Sequence, residues 1–121
     1  MKVARLKKAE RVNQIYEWLS DKFPTPYPTK LKLIRVSTDE SKNLYGWVEL
    51  KKRVLIITLD ERYPRHLLIE TLIHEMAHAC TWVNRRMEPH VDHHSDEWGL
   101  QYAKIYRAFF DEDGKSDSGK Y

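Results

Sequence analysis

The chain has 121 residues, 41% hydrophobic and 32% charged, with a formal net charge of +3. That length leaves room for one core and excludes a catalytic domain joined to a separate binding domain, while the balance of apolar and charged residues excludes a disordered chain. A single cysteine, Cys80, excludes an internal disulfide and a cysteine-built zinc ribbon.

Residues from about Ala4 to Phe23 predict a helix, because Val12, Ile15, Tyr16, Leu19 and Phe23 recur at the helical period beside a charged face. Pro24-Thr25-Pro26-Tyr27-Pro28 ends it and favours an extended path. Three strands are expected next, at Leu31 to Val36, Leu44 to Leu50 and Val54 to Leu59. Lys51 and Lys52 lie between the last two, close enough for a hairpin, so an antiparallel sheet is expected. Tyr63-Pro64 opens a second helix, running to about Asn84 and apolar on most sides, which should be central and buried. A polar loop reaches His94. Ser95 can cap a last helix whose first turn carries Asp96 and Glu97 and whose packing face is Trp98, Tyr102, Ile105, Tyr106 and Phe109. The polar stretch from Asp111 reads as a frayed, disordered tail. The expected fold is therefore α+β, with a domain over residues 1–110 and a tail over 111–121.

The chemistry concentrates in His74-Glu75-Met76-Ala77-His78, an H-E-x-x-H pattern inside the second helix. Four residues make a little over one turn, so His74 and His78 project from one face and can share a metal ion such as zinc. Glu75 borders that ion without having to bind it and can accept a proton from water. A buried helix would not hold these three polar side chains among Leu, Ile and Met without partners. A catalytic zinc usually takes a third protein ligand. Thr81 and Asn84 stand where an extended H-E-x-x-H-x-x-G-x-x-H pattern needs Gly and His, which leaves His90, His93, His94 and Glu97. His94 is favoured, since the packing of Trp98 and Tyr102 would hold it beside the last helix. For His90 and His93 the plain reading is exposed loop histidines. An oxyanion donor is not ranked among Tyr27, Tyr63, Tyr102, His90 and the arginines. Cys80 reads as a packing residue.

The segment Leu68 to Ala79 resembles the active-site helix of SprT-like metallopeptidases, which include DNA–protein crosslink proteases. His94-Ser95-Asp96-Glu97-Trp98 is similar to that family's third-ligand motif, with Ser95 in place of the usual Gly, and Leu44-Tyr45-Gly46-Trp47 and Ile57-Thr58-Leu59 resemble its sheet. The resemblance implies a minimal zincin-like domain: N-terminal helix, three-stranded antiparallel sheet, central H-E-x-x-H helix and C-terminal helix. It implies Zn2+ held by His74, His78 and His94, Glu75 as catalytic base, and peptide hydrolysis of proteins bound or crosslinked to DNA.

An extended substrate could pair with an edge strand, expected to be Val54 to Leu59. Residues 1–60 carry a net charge of +6 and residues 61–121 a net of −3. Lys2, Arg5, Lys7, Lys8 and Arg11, with Lys51, Lys52 and Arg53, are candidate phosphate contacts for single-stranded or crosslinked DNA, and Trp47 or Trp82 a candidate base platform. The plain alternative is a solvated basic face and core tryptophans. Two other functions stay open: a non-catalytic zinc-stabilised binding module, and a peptidase indifferent to nucleic acid. No apolar run approaches the roughly 20 residues of a membrane span, and the charged start Met1-Lys2-Val3-Ala4-Arg5 lacks the apolar stretch of a secretory signal. A cytoplasmic, reducing location is expected.

Overall fold

A computed structural model describes residues 7–35, 45–82 and 96–113. Helix α1 spans Lys8–Lys22, and the Lys7 backbone N–H donates to Glu10 Oε1 at 2.9 Å. It starts later than the periodicity suggested, because Lys7 is already extended. Val12, Ile15 and Leu19 form its buried stripe, and Phe23 continues it at the C-cap.

Strands β1 (Thr29–Ile34), β2 (Gly46–Lys51) and β3 (Val54–Asp60) form a sheet in the order β1-β3-β2. β2 and β3 are antiparallel, but β1 runs parallel to β3, so the sheet is mixed rather than wholly antiparallel. The reason lies in the apolar run Val54-Leu55-Ile56-Ile57-Thr58-Leu59. A strand apolar on both faces belongs at the centre, and β3 accordingly buries Leu55, Ile57, Thr58, Leu59 and Asp60. β1 and β2 are thereby left on its two flanks. β3 is thus not the edge strand expected for substrate pairing; among the described residues the edges belong to β1 and β2.

The β2–β3 turn contains only Lys52 and Arg53, both left-handed at φ 50° and 66°. This pair of positive φ values suits a two-residue hairpin of the twist-matched kind that favours Asn-Gly, and each L-residue with a Cβ costs about 1 kcal/mol there. The double substitution Lys52→Asn, Arg53→Gly is expected to stabilise the chain by about 1 kcal/mol. A raised urea midpoint at unchanged slope would show it.

Helix α2 (Arg65–Cys80) follows, with Pro64 as its N-cap. It ends well before Asn84: Thr81 is the C-cap, and its Oγ1 donates to the Ala77 carbonyl at 2.8 Å. Leu68, Ile69, Leu72, Ile73, Met76, Ala77 and Ala79 are buried along it. They meet Leu55, Ile57 and Leu59 of the sheet and the α1 stripe in one core. Helix α3 (Asp96–Ala108) begins with Asp96 and Glu97, as its dipole favours. A π-helical turn, Phe109–Asp113, extends it into what read as disordered tail. Ile105 and Phe109 are fully buried, and Phe109 packs edge-on to Trp18 with ring centres 6.4 Å apart. No described helix is long and apolar enough to cross a membrane.

Candidate active site

Helix α2 carries His74, Glu75 and His78 in its C-terminal half. The two imidazole rings lie 4.9 Å apart, centre to centre, on one helical face. Two nitrogens bound to one tetrahedral ion stand about 3.3 Å apart, a separation that these rings can supply. Helix α3 backs them with aromatic surface. The Trp98 indole stacks on His78 at 5.2 Å and 26° and meets His74 edge-on at 5.0 Å. Its Nε1–H donates to the His74 carbonyl at 3.4 Å. Tyr102 stacks on Trp98 at 5.0 Å and 11°, completing a wall that restricts both imidazoles to few rotamers.

Glu75 is 8% exposed. Burial alone pushes its carboxyl from the ordinary 4.5 up to about 8. A buried carboxyl next to His74, with no basic group among the described residues offsetting its desolvation, is a setting that a divalent cation would neutralise. The donor chemistry therefore fits a metal such as zinc.

A cleft of about 300 Å³ opens on this point, lined by Tyr45, Gly46, Leu67, Glu70, Thr71, His74, Glu75 and Tyr102. Its narrow end depends on Gly46. A Cβ there would meet the Thr58 carbonyl oxygen at 2.7 Å, Leu59 Cδ2 at 2.8 Å and Thr71 Cγ2 at 3.0 Å. The bare backbone lets α2 lie close over the start of β2, which brings that strand into the same cleft as His74.

The family profile described as the SprT-like family matches residues 11–116. The chain belongs to the SprT-like family. No curated protein and no solved structure matches it.

Of this SprT-like protein's predicted ligands, His90, His93 and His94 lie outside the described residues. Glu97 sits exposed on the first turn of α3. Among the described residues no group of three or more His, Cys, Asp or Glu could hold a metal, so Glu97 does not join His74 and His78. Of the oxyanion candidates, only Tyr102 among the described tyrosines Tyr27, Tyr63 and Tyr102 lines the cleft. Tyr63 instead packs edge-on to Tyr45 at 4.6 Å, and Tyr27 packs against the core. Burial, and then the nearby charges of Glu70 and Tyr106, push the Tyr102 phenol above its usual range, so it stays a proton donor at neutral pH. Burial likewise raises the Cys80 thiol to about 11, against weaker opposing effects of Gln101 and Lys104, which suits packing rather than nucleophilic chemistry.

The basic residues do not form one patch. Lys8 Nζ donates to the Tyr63 carbonyl at 2.9 Å, just past the end of β3, so this ammonium ties α1 to the strand exit. Arg11 is part-buried on the same helix, and Lys7 is exposed at its start. Lys51, Lys52 and Arg53 stand at the other end of β3, about 20 Å away along a seven-residue strand. Lys2 and Arg5 lie outside the described residues. The strand register adds two residues that charge counting did not single out. Lys30 and Lys32 pair with Ile56 and Thr58, and Trp47 with Thr58, so all three point away from the core on one sheet face with Lys51. Trp82, by contrast, packs against the core.

Four cleft residues escaped the sequence reading as site residues. Glu70 and Thr71 line the cleft, and Glu70 carried a usable signal, since it precedes His74 by four residues and so shares its face. Tyr45 and Gly46 had none, because nothing local reveals which strand end α2 will cover.

Proposed function

We propose that this chain is a zinc-dependent endopeptidase, with His74, His78 and His94 holding the metal and Glu75 as the general base. The observation that carries the reading is Glu75: a carboxyl buried with no compensating base among the described residues, one residue from the first of two paired imidazoles, in the lining of an open cleft. Zinc bound there would polarise the scissile carbonyl and make water more acidic. Glu75 removes the proton from the attacking water and returns it to the leaving amine as the C–N bond breaks. Tyr102, at the cleft wall, is the residue best placed to donate a hydrogen bond to the carbonyl oxygen. An extended substrate adds to the edge of β2, which borders the cleft. A binding module with a purely structural zinc would have no use for this buried carboxyl, which favours the catalytic reading.

The family resemblance extends the proposal to proteins bound or crosslinked to DNA. The sheet face bearing Lys30, Lys32 and Trp47, continuous with Lys51 and the Lys52-Arg53 turn, also carries Glu49, which accepts from Trp47 at 3.4 Å and pairs with Lys51 at 3.9 Å. With phosphate contacts from Lys30, Lys32, Lys52 and Arg53 and base stacking, it is the surface that fits a single strand. Single-stranded DNA binding is expected to weaken steeply between 50 and 200 mM salt, and Lys30→Glu with Lys32→Glu to weaken it at least tenfold. Binding insensitive to salt and to these changes would remove this face from the proposal.

The direct test incubates zinc-loaded wild type and Glu75→Gln with a basic DNA-binding protein, with and without single-stranded DNA, and follows cleavage on a gel. Cleavage by wild type alone supports the peptidase, and an increase with DNA supports the DNA-linked form. Cleavage indifferent to DNA would leave a general peptidase. Intact substrate in every lane, with zinc and a competing hydroxamate shown to bind, would oppose it.

A further inference from the structure

The cleft beside His74 is not chemically neutral. Among the described residues its lining contains two carboxyl groups, Glu70 and Glu75, and no lysine or arginine. The reading above gives Glu75 to the reaction. Glu70 is exposed and has no such task. It sits four residues before His74 on α2, on the same face and about 6 Å away along the helix axis. That offset suits a side chain next to the bond being cut, not the bond itself.

The rest of the lining suits a long cationic side chain. Tyr45, 44% exposed, and Tyr102 bring two aromatic rings to the same cleft, with Leu67 and Thr71 lining it beside Glu70. Aromatic faces and aliphatic surface accommodate the methylene stem of lysine or arginine, whose head group then meets a carboxylate. An acidic substrate side chain in the same place would meet the like charge of Glu70. On a helix surface remote from any cavity, a glutamate such as Glu70 would simply be solvated. Here it lines a cleft shared with His74 and Glu75.

We propose that Glu70 makes this cleft a subsite for a lysine or arginine side chain flanking the scissile bond, and so determines substrate specificity. The proposal rests on the peptidase reading, and the test separates the two. A set of labelled peptides carries a single Lys, Gln or Glu at successive positions of an otherwise neutral sequence. Zinc-loaded wild type, Glu70→Gln and Glu70→Lys are assayed for cleavage, and binding of the same peptides to Glu75→Gln, with and without Glu70→Gln, is followed by fluorescence anisotropy. Wild type should cleave the best Lys peptide at least about tenfold faster than its Gln counterpart, a preference lost in Glu70→Gln and turned toward Glu in Glu70→Lys. Equal cleavage of Lys and Gln peptides at every position overturns the subsite and leaves the peptidase standing. If nothing is cleaved, binding decides: Lys-selective binding that Glu70→Gln abolishes keeps the subsite and rejects the peptidase, while binding without charge selectivity overturns the subsite as well.

Discussion

Glu75→Gln is expected to reduce peptide cleavage by about 10²- to 10⁴-fold, the usual contribution of a positioned general base, while leaving zinc bound. The same change should stabilise the metal-free protein, and the sign follows from the carboxyl's displacement. In the folded chain Glu75 holds its proton up to about pH 8, whereas the ordinary value is 4.5. Between those values the folded state binds a proton that the unfolded chain has released. Stability is therefore complete below about pH 4.5 and is lost as pH rises through 8. Allowing for partial exposure of the site, that loss is on the order of 3 kcal/mol. Glutamine has no proton to lose, so the variant's advantage should grow from pH 5 to pH 8.5 in urea melts of the metal-free protein. It should shrink once zinc supplies a countercharge. A variant that cut at the wild-type rate would remove Glu75 from the mechanism, and a pH-independent stability difference would contradict its buried setting.

Phe109→Ala is expected to cost about 3–5 kcal/mol, the range for deleting a buried aromatic ring. Phe109 is fully buried, edge-on to Trp18 of α1 at 6.4 Å and to Phe110 at 4.8 Å. It anchors the end of α3 to the far side of the core. Because α3 also carries Trp98 and Tyr102, which back the two histidines, loosening this end also loosens the site. A loss of this size is a large part of the roughly 5–15 kcal/mol that a domain possesses. Chemical melts should show a clearly lowered midpoint, and zinc affinity should fall with it. A loss under about 1 kcal/mol would mean that the turn after α3 is peripheral.

The helices were legible because their signals are local. The α1 stripe of Val12, Ile15 and Leu19, the stop before Pro24, and the acidic first turn of α3 each depend on residues within a few positions of one another. The place of β3 was harder. Its apolar run indicated burial, but the short connection to β2 drew attention to the hairpin and away from β1, which docks on the other side. The same difficulty scattered the basic residues. Lys8 and Lys52 both count as charge in the first half of the chain, yet one secures a backbone carbonyl at the strand exit and the other tips the opposite turn.

By itself the sequence determined that His74 and His78 share a helical face with Glu75 beside them, since helical spacing alone brings i and i+4 to one face. It also determined the kind of fold, through hydrophobic periodicities that change from helical to alternating and back. Only the tertiary structure decided what surrounds that trio. Long-range packing set Trp98 and Tyr102 against the imidazoles, laid α2 over Gly46, and opened a cleft with Glu70 in its lining. The burial that raises Glu75 to about 8 arises in the same way. Desolvation is the sum of everything packed around a group, and no short stretch of chain contains it.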